Sequence, residues 1–435
     1  MAKIFYARVD EFWRREEKYA FLDEKQHRGN IEWQEITPDA IHNWLTEGLR
    51  DEFDHLVPFI ATDQQSVFRL SSNGIKTNRD AWAYNFNSRE LEENLNGLVE
   101  TFNQQLNQWN TLKTQNRDID EFTASDETRI SWSESLKHRL LRGSRLDYDT
   151  SRIRQALYRP FTQTFIYFDP SLCERLYQFP AILPISSASA ENKVIALSAI
   201  GSTKPFHSLM TTRVPDIHLT GDTACFPFYT YDEDGSNRRE NITDWALEQF
   251  RSHYKNRSIT KLDIFHYVYA VLHHPLYRER YAANLKRELP RIPFAPDFKA
   301  LADIGKRLAE IHVNYEQQPE YLLERIEAPG KPLDWRVEKM KLSKDKRSII
   351  YNDFLTLAGI PPEVFEYRLG NRSALEWIID QYQVSTDKRS GITNDPNRDA
   401  DPEYIVRLIG QVVTVSQETV KFTNLIAESQ LVESV

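Results

Sequence analysis

The chain has 435 residues, of which 40% are hydrophobic and 27% charged, a balance typical of a globular protein with two or three domains. Its net charge of -9 excludes a uniformly basic, histone-like protein, although a local basic face could still neutralise phosphates. The two cysteines, Cys173 and Cys225, lack metal-binding spacing and fit a reducing compartment. Since neither a signal-peptide pattern nor a long apolar run occurs, we expect a cytoplasmic protein.

The first 125 residues are predicted to be mostly helical. Phe5, Phe12 and Trp13 would share one face of an opening helix, with charged residues opposite. The triplet Thr37-Pro38-Asp39 predicts the start of a second helix, because proline is tolerated in a first helical turn. The inward residues of that second helix would be Ile41, Trp44, Leu45 and Leu49.

In the middle of the chain the sequence pattern changes from one typical of helices to one typical of β-strands. Residues 66–70 predict a short strand, and residues 87–116 predict a polar helix. From 151 to 235, short aromatic and apolar runs are divided by proline and glycine, which is typical of strands and loops. Residues 241–288 then return to a helical pattern.

The C-terminal part is predicted to be helical around a short β segment. Residues 298–315 predict a helix, and residues 331–346 predict two short strands with Trp335 and Val337 inward. Residues 348–384 and 402–430 predict the closing helices. The fold class is therefore mixed α+β, with a helical N-terminal segment, a β-rich aromatic middle and a helical C-terminal part. The predicted domains are 1–125, 126–330 and 331–435.

Motifs that carry catalytic chemistry are largely missing. No two glycines lie two residues apart, and no GK[ST] phosphate loop or HExxH motif occurs. Asp169-Pro170-Ser171 lacks the second proline and the aromatic residue of the loop that holds the target base in amino-methyltransferases. Glu16-Glu17-Lys18 matches the end of a nuclease motif and Ser343–Lys346 a formal SxxK, but both patterns favour solvated surface.

Three histidines on one aromatic helix are a weak candidate for a metal site. His266, His273 and His274 have spacings of seven and eight residues, which place them near one face. No third ligand is suggested by the spacing, and packing or surface roles are favoured. We therefore predict no metal and no catalytic residue in this chain.

Local basicity with interleaved aromatic residues is the strongest chemical signal. Seven lysines and arginines lie between Lys137 and Arg159, and further basic stretches span 278–291 and 331–347. Each stretch alone favours a solvated face, whereas together they leave a phosphate-binding face and solvated surface about equally supported.

Six long strings in this sequence resemble segments of type ISP restriction–modification enzymes. They include the opening string 3–22, Gly74–Trp82 (GIKTNRDAW) and YRPF at 158–161. The others are 267–294, 363–384 and 387–397. The resemblance covers essentially the whole chain, but it matches only the C-terminal part of those large enzymes, which follows the methyltransferase core.

The resemblance implies a target-recognition region of a bacterial, adenine-specific enzyme of phage defence. Nuclease, helicase-like ATPase and methyltransferase parts would lie in a longer parent chain or a partner, together with S-adenosylmethionine, ATP and Mg²⁺. This chain would bind no cofactor; its partner would be double-stranded DNA and not a membrane. A fragment, a split subunit and a remnant all stay open. The alternatives are a diverged methyltransferase or nuclease, or a module that binds only proteins.

The candidate DNA contacts lie on predicted turns, loops and one helix start. For each, packing or an internal ion pair is the competing interpretation; for Arg372 that pair would be with Asp380, and Asn371 would be the N-cap of the helix that contains Trp377. The candidates are Lys76, Thr77, Asn78, Arg79, Arg142, Arg145, Lys204, His207, Arg213, Arg368, Asn371, Arg372, Lys388, Arg389 and Asn394.

Overall fold

A computed structural model describes residues 3–9, 13–38, 42, 44, 48–112, 118–123 and 127–431. It divides into two compact units, Met1–Asp51 and Glu52–Val435. Both helices and strands occur, which confirms the predicted mixed α+β class.

The helices of the described residues are numbered here in chain order. None of them combines the length and apolar character needed to cross a lipid bilayer. They are α1 (Arg15–Lys25), α2 (Asp80–Ala83), α3 (Ser88–Leu112), α4 (Ile119–Thr123), α5 (Glu134–Leu141), α6 (Asp244–His253), α7 (Lys261–His273), α8 (Pro275–Arg280), α9 (Ala282–Leu285), α10 (Phe298–Val313), α11 (Ala374–Gln381) and α12 (Tyr404–Ala427).

The first unit begins with a strand and not with the predicted helix. Strand β1 (Ile4–Tyr6) pairs antiparallel with β2 (Gln34–Ile36), and α1 lies between them in sequence. The prediction was wrong at this point because a β-branched residue followed by two aromatic residues favours a strand. Four residues used in the two N-terminal helix predictions lie outside the described residues: Phe12, Asp39, Ile41 and Leu45.

The central sheet of the second unit is buried on both faces. Its strand order is β4 (Ser72–Asn73), β11 (Thr223–Pro227), β8 (Val194–Ser198) and β9 (Ser208–Thr211), all antiparallel. Side chains alternate between two hydrophobic clusters, since Ile195 belongs to one and Ala196 to the other. Burial on both faces explains why residues 194–197 are all apolar.

A second four-stranded sheet contains aromatic strands from the middle of the chain. Its order is β10 (Val214–Pro215), β6 (Ile153–Arg159), β7 (Thr162–Tyr167) and β5 (Tyr84–Asn85). Only the β10–β6 pair is parallel. These strands confirm the β-rich middle predicted from the aromatic runs.

The third sheet corrects two predictions for the C-terminal part. Its order is β15 (Glu324–Glu327), β18 (Leu355–Ala358), β17 (Ser348–Ile350) and β16 (Lys341–Leu342). Two strands were predicted in 331–346, but only β16 lies there, and it belongs to a sheet of four strands. Most of the predicted helix 348–384 is not helical, because this range contains β17 and β18. Leu355 and Leu357 are buried with half-buried residues between and after them, a period of two that indicates a strand. Val337 is buried and Trp335 half-buried.

Short two-stranded pairings complete the second unit. The predicted strand 66–70 contributes only an isolated bridge from Phe68 to Ile242. The pairs are β3 (Val57–Pro58) with β14 (Arg291–Ile292), β12 (Tyr229–Thr230) with β13 (Arg239–Glu240), β19 (Arg368–Leu369) with β20 (Arg372–Ser373), and β21 (Ser385–Thr386) with β22 (Thr393–Asn394).

Candidate nucleic-acid interface

One loop brings several of the candidate segments together. This central loop, residues 216–222, directly follows β10. The amide of Ile75 donates to the carbonyl of Pro215 at 2.9 Å, and the amide of Ile217 donates to the carbonyl of Ile75 at 2.9 Å. A Cβ atom on Gly74 would lie 2.5 Å from the main chain of the central loop, so this close approach requires glycine.

Lys76 and Asn78 face outward from the segment that follows Gly74. Asn78 is exposed at a φ of 56°, and Lys76 is half-buried. Within the described residues, neither side chain makes an internal hydrogen bond or ion pair. Both line a recess of about 250 Å³ together with Asp80, Asp216 and His218. The recess therefore offers a free ammonium and a free amide beside two carboxylates.

Thr77 and Arg79, predicted as contacts, are buried and hold the segment in place. They are 1% and 4% exposed, respectively. The Thr77 hydroxyl donates to Asp80, and the Arg79 guanidinium donates to Ser133. Burial lowers the pKa of Arg79 to about 10. The residues of this segment thus alternate: Thr77 and Arg79 anchor it, whereas Lys76 and Asn78 point outward.

A buried charge cluster fixes the start of the central loop. Asp216 is 1% exposed and accepts hydrogen bonds from Arg159 at 2.9 Å and from the Tyr84 hydroxyl at 3.0 Å. Burial raises the pKa of Asp216 to about 6, helped by the charge of Asp80 and opposed by Arg159. The carboxyl thus has a structural role beneath the recess.

The candidate segment that contains Lys204 and His207 contacts the C-terminal end of the central loop. The Lys204 ammonium donates to the carbonyl of Thr220. His207 is 1% exposed, with its ring nitrogens 2.7 Å from the Ser198 hydroxyl and 2.9 Å from the Thr220 hydroxyl. Burial lowers the pKa of His207 to about 3, so the ring is neutral and braces the loop.

The third candidate segment is the hairpin β19–β20, whose turn lies against the same loop. A Cβ atom on Gly370 would be 3.3 Å from the Thr220 side chain and 3.7 Å from Lys204, and Gly370 has a φ of 66°. Arg368 is exposed, and its guanidinium donates to the carbonyl of Asn371. The hairpin therefore places an arginine and an exposed asparagine next to Lys204.

Arg372 has the internal partner that was one of its two predicted roles. Its guanidinium is 2.6 Å from Asp380, and both side chains are about one-third exposed. The predicted N-cap, Asn371, is wrong, because Ser373 accepts from the amide of Glu376, whose carboxylate accepts in return from the Ser373 amide. The serine side chain reaches the third amide of α11, and this reciprocal pair is a capping box.

The other candidates lie away from the central loop or just before it. Arg213 precedes β10 and donates to Gln155 at 3.2 Å. Arg389 is 3.9 Å from Glu127, and the Asn394 side chain accepts from a main-chain amide at 2.9 Å. The remaining candidates are neighbours in sequence of residues in the hydrophobic cluster built on α3. Arg142 and Arg145 lie between its members Leu140 and Leu146, and Lys388, Arg389 and Asn394 lie on either side of Ile392, which packs against it.

One exposed segment beside Lys76 was missed by the sequence analysis. Arg175 and Lys76 exchange main-chain hydrogen bonds at 2.9 and 3.0 Å, and the amide of Gln178 donates to the Ser72 hydroxyl at 3.1 Å. Arg175, Tyr177 and Gln178 are exposed. A single arginine between Glu174 and Leu176 carries no spacing signal, so only the three-dimensional pairing identifies this segment.

The motifs that were weak candidates for a metal, nuclease or SxxK site lie in the core, on a helix or in a turn. His266, His273 and His274 are each less than 5% exposed, and His273 lies 2.8 Å from a main-chain carbonyl. Glu16-Glu17-Lys18 lies on α1, and Ser343 bonds to Asp345 in a turn. Across the part of the chain that the structure describes, no three His, Cys, Asp or Glu side chains are grouped to hold a metal ion.

A mixed α+β chain that gathers lysine, arginine and amide side chains on loops around one short segment has the form of a recognition domain. The family model of the Type ISP C-terminal specificity domain matches residues 66–408, so the chain belongs to this family. No match was found among the curated proteins.

Several solved structures resemble this chain over most of its length. A nuclease-deletion mutant of the Type ISP restriction–modification enzyme LlaGI, in complex with a DNA substrate mimic, is 33% identical with a TM-score of 0.86. The DrdV–DNA complex, determined by cryo-electron microscopy, is 35% identical with a TM-score of 0.85. The ATP-dependent Type ISP enzyme LlaBIII, bound to DNA, is 32% identical with a TM-score of 0.81.

The match is unequal in length. It covers 99%, 97% and 92% of this chain, but only 40%, 43% and 26% of the LlaGI, DrdV and LlaBIII chains, respectively. The present sequence therefore spans less than half of each of these three proteins.

Proposed function

We propose that this chain is the sequence-specific duplex-DNA recognition module of an adenine-specific restriction–modification enzyme. The proposal is supported above all by similarity, over nearly the whole of this chain, to parts of three proteins whose structures contain DNA. The clustering of Lys76, Lys204 and Arg368 around the central loop agrees with it, because lysine and arginine contacts to phosphates supply most of the affinity for DNA.

In the proposed mechanism, cations orient the duplex and amides help to read it. Lys76, Lys204 and Arg368 contact phosphate oxygens and fix the register of the module on the helix. Asn78 and Asn371 are exposed on the same loops, and an asparagine can bond to both N6 and N7 of adenine in the major groove. The module would then hold one adenine where a methyltransferase domain can extrude and modify it.

Catalysis would come from other domains of a longer parent chain or from a partner in the bacterial cytoplasm. Methyltransferase, helicase-like ATPase and nuclease domains would bind S-adenosylmethionine, ATP and Mg²⁺, and the assembly would act in phage defence. In this arrangement the present chain selects the site at which those domains act.

Equilibrium binding to a labelled duplex at increasing salt tests the proposal. Affinity should fall steeply between about 50 and 200 mM salt, because each phosphate contact releases counterions. The double variant Lys76→Ala/Arg368→Ala should bind more weakly, and its log–log salt slope should be shallower by about 2. The control Lys306→Ala, an exposed lysine of α10, should match the unmodified chain. Absence of duplex binding at about 50 mM salt would contradict the proposal.

A further inference from the structure

Segment 175–178 is held rigidly while its polar side chains point outward. Leu176 and Phe179 are buried in the hydrophobic cluster that also contains Ala196, and hydrogen bonds of the main chain tie the segment to Lys76 and Ser72. Burial of apolar anchors on both sides of exposed residues fixes the main chain before any ligand arrives. A main chain that is already fixed loses little freedom on binding, which favours specific recognition.

Tyr177 has a main-chain conformation that is uncommon for a bulky residue. Its φ is 48°, in the left-handed region, and its side chain is 40% exposed. An aromatic residue is retained in this region only where the surrounding structure imposes it, and such positions cluster at ligand-binding sites. Here the strained conformation turns the ring outward from the fold.

Tyr177 borders a groove with mixed apolar and amide lining. The groove has a volume of about 430 Å³, and its lining includes Asn73, Gln178 and Ile200, which is 56% exposed. No carboxylate is among its lining residues in the described part of the chain. Glu174, the acid nearest in sequence, accepts a hydrogen bond from Ser135 at 2.8 Å.

The chemistry of this surface matches the edges of base pairs better than it matches phosphate alone. An arginine forms two bonds to guanine O6 and N7, a glutamine two bonds to adenine N6 and N7, and apolar groups contact the thymine methyl. Arg175 makes no internal side-chain bond or ion pair within the described residues, and the same holds for Gln178. Lys76, paired to Arg175 through the main chain, would hold the adjacent phosphate.

We propose that Arg175, Tyr177 and Gln178 form a base-reading element that sets part of the recognised DNA sequence. This inference rests on the proposed function. In the major groove, Arg175 donates to a guanine edge, and Gln178 donates to N7 and accepts from N6 of an adenine. Tyr177 and Ile200 form an apolar contact for a neighbouring base. The element lies beside Lys76 and thus extends the central-loop surface with side chains that discriminate between bases.

Selection of bound duplexes from a randomised pool, using the full chain, tests this inference. The unmodified chain should enrich a sequence, and Arg175→Ala and Gln178→Ala should each lose preference at one position, by about 5- to 150-fold in relative affinity. Tyr177→Gly, which suits the positive φ, should relax a neighbouring position. Lys306→Ala is the control and should enrich the same sequence as the unmodified chain.

The outcomes separate this inference from the proposed function. If the three variants enrich the same sequence as the unmodified chain with unchanged preference, the base-reading element is wrong, although the proposed function stands. If the unmodified chain binds no duplex at low salt, or binds duplexes without sequence preference, both the inference and the proposed function are wrong. Circular dichroism and thermal unfolding check that each variant is folded, and the single substitutions at Arg175 and Gln178 change exposed side chains only.

Discussion

At the residue scale, the candidate interface depends on a division between buried and exposed polar side chains. Thr77 and His207 are buried and bond within the fold. Arg79 is also buried and bonds through one guanidinium nitrogen, while its other two side-chain nitrogens have no hydrogen-bond partner in the described residues. Lys76 and Asn78 point outward. Buried polar groups are costly unless they are paired, so the buried members fix the loops that carry the exposed ones. Sequence alone could place all of these residues on turns and loops but could not say which side chains face outward.

Asp216 gives this buried support a measurable pH dependence. Its pKa of about 6 in the folded chain lies above its ordinary value of 3.8, so the folded state holds the proton more tightly than the unfolded state. As the pH rises from about 4 to about 6, the unfolded state loses the proton first, and the free energy of unfolding falls. Above about pH 6 this contribution is constant.

Asp216→Asn should remove this dependence. Urea unfolding at several pH values should show that the stability difference between variant and unmodified chain changes by the order of 2 kcal/mol between about pH 4 and 6. Asp222→Asn, on the same loop but exposed, should follow the unmodified chain. A constant stability difference for Asp216→Asn across this range would show that the carboxyl is not perturbed by burial.

At the element scale, strong periodic patterns were predictable and long-range pairings were not. The helices α3, α10 and α12 follow their predicted ranges, and the apolar run at 194–197 lies in a strand that is buried on both faces. The error at 348–384 arose because short strands of two to four residues carry too few positions to define a period. The β10–β6 parallel pair joins residues about 58 positions apart, a register that no local pattern specifies.

The packing of α7 against α10 depends on one glycine. A Cβ atom on Gly305 would lie 1.9 Å from the carbonyl oxygen of His266, so the helices must move apart to accept any side chain. Gly305→Ala should therefore destabilise the chain by about 1–3 kcal/mol, despite the higher helix propensity of alanine.

Gly97→Ala provides a matched control in a second helix. Gly97 is exposed within α3, and no atom of the described residues would lie within 4 Å of an added Cβ, so alanine should stabilise the chain by up to about 1 kcal/mol. Chemical denaturation of both variants measures the two effects. Equal stability of the two variants would mean that α7 and α10 are not in close contact.

At the scale of the whole molecule, the sequence was sufficient to identify the family, whereas the spatial arrangement of the candidate segments is known only from the structure. The GIKTNRDAW string at 74–82 pointed to type ISP enzymes, and the family model over 66–408 confirms that family. The central loop, residues 216–222, was not singled out by any motif. It is identified only because Gly74, Lys204 and Gly370, which are distant in sequence, all lie against it.

The central claim is that segments 74–79, 175–178, 216–222 and 368–372 form one DNA-facing surface. Hydrogen–deuterium exchange of the full chain, with and without saturating duplex at low salt, tests it most directly, because it reports protection segment by segment. We expect slower exchange in these four segments on DNA binding and no change in α10. Unchanged exchange in all four segments, or protection confined to other parts of the chain, would contradict the account.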